Sequence, residues 1–312
     1  MKEKSMDELE KYIISIYNGP MKKSNKPELL YQYTDITALQ GIVENNVLWA
    51  THCRYLNDKR ELDYGLRIAV KYANREKNKT KDQNVKQLLE EISGIYEFAK
   101  RNKELPFHSL DVFTASLSAQ CDLLSQWRGY GKKYKSVCIG MDVDELMAGA
   151  DSCNWFVFLR KVIYDSKKQV GIMKNYMDKV CDIVKNNPLD FSNPNYMKTF
   201  RHKVDLGLII FALCFKEKCW EEEDEWRLMA VHHSTKNGNP KEICFKENDY
   251  GLVPYIKIPV SNNNSVFDTI KKVILPKSEM FIRAKKSLDM FFSQRKKNHS
   301  VKIEKSKISI VY

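Results

Sequence analysis

The chain lacks a long apolar run, a cysteine pair at CxxC spacing and every common nucleotide-loop or hydrolase signature, and each gap removes a class of function. The longest apolar run, 206–215, is too short to cross a bilayer. The N-terminus is charged and amphipathic rather than apolar, so no signal peptide is expected. Eight cysteines are present. Their one close pair, Cys214 and Cys219, has no histidine at zinc-ligand spacing, so no structural metal is expected. The thiols therefore read as reduced, in a cytoplasmic protein. There is no GxGxxG, P-loop, HExxH or GxSxG, which argues against a Rossmann enzyme, a P-loop NTPase, a zinc protease and an α/β-hydrolase. Internal repeats and low-complexity tracts are also missing.

What is present is ordinary in bulk. At 312 residues, 43% hydrophobic and 29% charged, the chain is a globular protein of one large domain or two small ones. Its net charge of +12 is spread along the sequence instead of forming a tail. That suits a polyanionic partner, nucleic acid or an anionic cofactor, and equally a lysine-rich solvated surface.

Hydrophobic periodicity gives the order of elements. Ser5 and Glu8 form a capping box for an N-terminal helix, and residues 1–27 read as that helix and a linker. Residues 28–312 read as a single α+β domain with helical insertions near 59–105 and 166–216. Strands are expected at 29–34, 47–51, 112–118, 136–141, 155–164, 226–231 and 255–260. Shorter ones fall at 244–245 and 273–275, and a final edge strand at 307–312.

The stretch 112–142 is the richest in chemistry. A strand ending in Ser116 and Ser118 is followed by a short helix bearing Ser125, Gln126, Trp127, Arg128 and Tyr130, with Gly129 and Gly131 on either side of Tyr130, and then another strand. Trp and Arg beside glycines can stack on a planar ring or hold an anion. Trp127 and Tyr130, at i, i+3, also fit plain core packing. Glu223 and Glu225 form the most specific acidic signal, at the start of a strand whose alternation puts Glu225, Arg227 and Met229 on one face. A pinned glutamate of this kind can stabilise an oxocarbenium ion; an acid run of this kind is also the usual solvated surface. Tyr31 and Tyr33 share one face of the first strand, as core or as ligand contacts. His232 and His233 end the strand that Glu225 begins, roughly 20 Å away. Asp58, Glu61, Asp122 and Glu225 could supply a nuclease metal site, though no spacing fixes one.

Several motifs in order, LYQYTDITALQGIVENNVLWAT, YLND, SLSAQCDLLSQWRGYG, SVCIGMD, EDEWRLM and IKKVILPKSEM, resemble an uncharacterised bacterial domain family from about residue 29 to 277. The chain departs from it at Asn57-Asp58-Lys59, which lacks a proline, and at Leu275-Pro276, where a glycine is usual. The order of parts is also similar to the ADP-ribosyltransferase superfamily. That resemblance implies a split mixed β-sheet core decorated by helices, with NAD as substrate and no metal. Carried over, Tyr33 takes the first place where a His is usual, and Ser118 contacts the nicotinamide ribose. Tyr130 or Trp127 stacks on nicotinamide, with Arg128 in the same corner. Glu225 is the catalytic acid, and Glu223 orients an acceptor. It implies an ADP-ribosyltransferase or NAD glycohydrolase of toxin or phage-defence type, acting on nucleic acid or protein. A non-catalytic nucleotide-sensing or nucleic-acid-binding module, with Glu225 paired to Arg227 or Arg128, fits the same residues.

Overall fold

The structure is a computed structural model and is described for residues 2–18, 26–56, 59–102, 111–130, 135–187, 189–231, 242–248, 251–262 and 265–309. In chain order it contains α1 (Lys2–Asn18), β1 (Leu29–Asp35), α2 (Ile36–Asn45), β2 (Val47–His52), α3 (Lys59–Glu76) and α4 (Gln83–Asn102). Then come β3 (Val112–Ser118), α5 (Leu124–Tyr130), β4 (Ser136–Asp142), α6 (Val143–Ala150), β5 (Phe156–Lys161), α7 (Ser166–Asn186) and α8 (Pro194–Leu213). The last part holds β6 (Glu225–Val231), β7 (Cys244–Asn248), β8 (Gly251–Pro259), α9 (Val266–Thr269), β9 (Ile270–Leu275), α10 (Phe281–Arg295) and β10 (Lys302–Lys305).

The chain divides into two compact units. One combines Met1–Pro20, Leu56–Asp111 and Val162–Glu221; the other combines Met21–Tyr55, Val112–Lys161 and Glu222–Tyr312. The first unit holds α1, α3, α4, α7 and α8. Its helices bury apolar residues at i, i+3 and i, i+4 spacing, such as Leu62, Leu66 and Ala69 on α3 and Leu88, Leu89 and Ile92 on α4. Gly65 lets α3 approach α8 closely, since a Cβ there would lie 2.3 Å from the Ala212 backbone. Pro194 sits in the first turn of α8 behind the capping side chain of Asn193, where a missing N–H costs nothing.

The second unit is built on a ten-stranded mixed sheet in the order β10-β9-β4-β1-β3-β2-β8-β7, to which β6 and β5 are joined at β3. Only β10 and β9 run parallel among the described pairs. β6 pairs with β3 along its whole length, from Val112↔Val231 to Ser118↔Glu225. The other edge of β3 is shared. β2 is bonded at Thr51↔Thr114 and His52↔Phe113, and β1 at Tyr31↔Ser118. β1 and β2 diverge between these points, so the sheet is split there, and α2 joins the two strands. Asp35 caps α2 through the Ala38 N–H at 2.9 Å, and Asn46 ends it in a left-handed conformation (φ 52°).

Alternation separates the two faces of the sheet. Leu30, Ala115, Leu117, Val137, Ile139, Trp226 and Leu228 point into the main core with Leu39 of α2, Leu146 of α6 and Phe292 of α10. The opposite face carries Tyr31, Tyr33 and Cys138, with Trp127 of α5 packed on them. Tyr31 lies directly opposite Gly140, and a Cβ on Gly140 would come within 2.8 Å of the Tyr31 ring.

Three expectations need correction. Among the described residues the last strand is Lys302–Lys305, and 307–309 of the expected 307–312 are not strand, because Val301 and Ile303 supply the buried alternation while Ser306 turns away to bond Asp122. Residues 310–312 lie outside the described residues. The Ser5–Glu8 capping box does not begin α1, which already runs from Lys2. The aromatic strand expected over 155–164 is limited to Phe156–Lys161, the length over which it pairs with β6.

Candidate functional site

The split at β3 puts a small cleft on the tyrosine face of the sheet. It is lined by Tyr31 and Tyr33 of β1, Ser116, Leu117 and Ser118 of β3, Gln126 and Tyr130 of α5, and Glu223 and Glu225 at the head of β6. Five of the seven residues placed by the resemblance, Tyr33, Ser118, Tyr130, Glu223 and Glu225, are therefore brought together, with Tyr31, Ser116 and Gln126 beside them. The open volume is about 20 Å³, room for about one water molecule.

Short-range bonding explains how these side chains are held. Tyr33 Oη donates to the Gln120 carbonyl at 2.8 Å and accepts from the Leu123 N–H at 2.9 Å. Ser118 Oγ donates to the Glu223 carbonyl at 2.6 Å and accepts from the Gln120 N–H at 2.9 Å. Both hydroxyls thus tie the loop after β3 and the approach to β6 onto the sheet. Burial pushes the Tyr31 phenol up to about 12, with the neighbouring Cys121 and Cys138 acting in the same direction. Burial, then Cys138, raises Tyr33 further. The two phenols stay neutral, and Tyr33 serves as a hydrogen-bonding group rather than a base.

The carboxylates are positioned by an unusual backbone. Asp224, between the two glutamates, has φ 41°, a left-handed conformation uncommon outside glycine, asparagine and aspartate. It turns the chain out of the 3-10 turn Lys218–Glu223 and into β6. Its carbonyl accepts from the Ala119 N–H at 3.0 Å, and its carboxylate is held by Lys161 at 2.7 Å. Glu223 and Glu225 both reach the cleft as a result. Backbone strain of this kind clusters at working sites, and the sequence carried only a faint sign of it, an aspartate lodged in an acid run before a strand.

Glu225 is 5% exposed and forms a bidentate pair with Arg227, itself 2% exposed: Nε to Oε1 at 2.7 Å and Nη2 to Oε2 at 3.0 Å. This is a strong, geometrically fixed arrangement. It leaves the carboxylate ionic, oriented and set beside Ser118, its direct cross-strand partner.

Trp127 does not line the cleft. It is fully buried, edge-on to Tyr33 at 5.3 Å, with its indole N–H donated to Asp122 at 2.7 Å. A stacking role for Trp127 is therefore corrected to a packing role, and the half-exposed Tyr130 (45%) is the ring the cleft offers. Arg128 is exposed and is not among the lining residues. Asp122 is taken up by Trp127, Ser306 Oγ and the Lys307 N–H, each at 2.7 Å, so it anchors the segment after β10 and does not face the cleft with Glu225. Asp58, His232 and His233 lie outside the described residues, as does the side chain of Glu61. Among the described residues no cluster of three or more His, Cys, Asp or Glu side chains is arranged to hold a metal ion.

Residues 126–228 match the family model described as "Protein of unknown function (DUF2971)". Over that stretch the chain is similar to an uncharacterised domain family. The matched stretch is shorter than the 29–277 span over which the sequence motifs occur. It includes Gln126, Tyr130, Glu223 and Glu225 of the cleft but not the residues from β1 and β3. No curated protein and no solved structure matches the chain. No helix among the described residues is long and apolar enough to cross a membrane.

Proposed function

We propose that the cleft is the active site of an NAD-cleaving enzyme of the ADP-ribosyltransferase kind. One observation carries the reading: Glu225 opens a strand, in direct register with Ser118 and beside Tyr33, at the split of a mixed sheet. Loss of nicotinamide from NAD leaves positive charge spread between C1″ and the ring oxygen of the ribose. A fixed carboxylate aimed at that charge stabilises the transition state more than the ground state. Glu225, held by Arg227, would supply it, and Glu223 would orient the nucleophile. Tyr130 would stack on the nicotinamide ring, while Tyr33 and Ser118 hold the cleft walls in place. The cleft as it stands has room for about one water, so in this reading it widens on binding, with the half-exposed Tyr130 as the member of the lining that moves.

A second reading, nucleotide binding without turnover, is favoured by the Glu225–Arg227 pair, since a carboxylate engaged on both oxygens also serves as a structural clamp. Release of nicotinamide from NAD separates the two. The purified protein is incubated with NAD alone, with single-stranded nucleic acid and with cell protein. Release in any arm is expected for the enzyme. Saturable NAD binding with no release in all three favours the binding module, and neither binding nor release overturns both.

A further inference from the structure

On the same sheet face as the cleft, β2 and β8 display an aromatic surface that the proposed chemistry does not use. Trp49 of β2 is 46% exposed and stacks on Tyr255 of β8 with ring centroids 4.2 Å apart and planes 27° from parallel. Lys246 of β7 reaches over the Trp49 ring at 5.9 Å and donates to Thr51 Oγ1 at 3.3 Å. Lys257 of β8 is exposed and lies directly opposite Trp49 in the strand register. The exposed tryptophan offers a stacking surface, and two lysines beside it give the patch an electrostatic preference for anions.

Register places this surface next to the cleft. Thr51 is paired with Thr114, so Trp49, two residues earlier, stands level with Ser116, two residues later, on the same face. Ser116 lines the cleft and is paired with Arg227 on the next strand. Two strand spacings and one two-residue step along β6 separate Trp49 from Glu225, on the order of 12 Å before the splay of β2 is added.

We propose that Trp49 is a stacking platform for a base of single-stranded nucleic acid, with Lys246 and Lys257 set against the flanking phosphates. One ring face rests on Tyr255, Lys246 reaches over the ring, and close to half of the residue stays exposed, so a flat π-system can stack on the exposed part beside a cation. Single-strand binders combine this kind of ring with basic flanks. The proposal deepens the enzymatic reading by naming the acceptor class, and it rests on that reading only for the chemical step after the strand has bound.

The test is binding of a fluorescein-labelled twelve-base DNA or RNA strand, without NAD, followed by anisotropy at several salt concentrations. Trp49→Ala is expected to weaken binding about tenfold or more, while Trp49→Phe, which keeps a ring, stays within about threefold. Lys246→Gln and Lys257→Gln are each expected to lower the slope of log affinity against log salt by about 0.7. Circular dichroism and melting of each variant separate lost binding from lost folding. Three results would each overturn the proposal: binding by Trp49→Ala within twofold of the unaltered protein, an unchanged salt slope in both lysine variants, or competition by polyglutamate as effective as by the unlabelled oligonucleotide. Because NAD is left out, a protein that binds the strand through Trp49 yet never releases nicotinamide keeps this inference and refutes the proposed activity.

Discussion

Replacing Glu225 with glutamine probes the cleft's chemistry and its architecture together. The substitution keeps shape and removes one charge from a pair in which both partners are almost wholly buried. Arg227 loses its bidentate carboxylate while its own charge stays buried. Breaking a buried pair from one side costs about 3–5 kcal/mol. A strand-start glutamate at a cleft looks expendable for folding in the sequence, and the geometry says otherwise. The double variant Glu225→Gln/Arg227→Met removes both charges and should recover most of that loss, a coupling of at least ~1 kcal/mol in a double-mutant cycle. Guanidinium midpoints measure the stability arm. Nicotinamide release, at a temperature where circular dichroism shows each variant folded, measures the chemical arm, and Glu225→Gln should be about a hundredfold to a thousandfold slower. A folded Glu225→Gln protein with undiminished NAD cleavage would show that Glu225 is not the catalytic acid. A single variant losing less than ~1 kcal/mol would show that the ion pair does not hold the cleft.

Trp127→Ala empties a fully buried site and should cost about 3–5 kcal/mol in denaturant titrations, whereas Tyr130→Ala should leave the midpoint nearly unchanged and weaken NAD binding instead. Asp224→Asn should be tolerated, since asparagine accepts left-handed geometry, while Asp224→Val should cost about 1–3 kcal/mol in the same titration. In the helical unit, burial pushes Asp205 up to about 6 from 3.8 against the opposing pull of Arg201. Between roughly pH 4 and 6 the folded chain then holds a proton that the unfolded chain has released. This contribution to stability therefore falls as pH rises through that window, by on the order of 3 kcal/mol, and Asp205→Asn should flatten the slope of melting temperature against pH.

Much of the fold was legible because its signals are local. β3 was bounded in the sequence as it stands in the structure, since Phe113, Ala115 and Leu117 alternate with Thr114, Ser116 and Ser118, apolar towards the main core and hydroxyl towards the cleft. β10 was misplaced because Lys-Ile-Glu-Lys carries a single apolar residue, and its strand character comes from pairing with β9. Within the site, the grouping of Tyr33, Ser118 and Glu225 was implied only by the resemblance in the order of parts, and the structure sets them around one cleft. The fates of Trp127 and Tyr130 were not implied, because i, i+3 spacing leaves open which ring turns inward, and Asp122 and Tyr33 decide it. The Glu225–Arg227 pair was readable as alternation along a strand; its burial depended on neighbours far away in sequence.

The sheet unit is assembled from three separate pieces of chain, and each main wall of the cleft comes from a different one: β1 from the first, β3 and α5 from the second, β6 from the third. During synthesis β1 must wait for roughly 190 further residues before β6 exists. At typical translation rates that is ~10–40 s. A nascent chain, or one truncated anywhere before Glu225, has neither the carboxylate nor the strand that seats Ser118. Whatever the cleft does, it begins only once the chain has been made through β6.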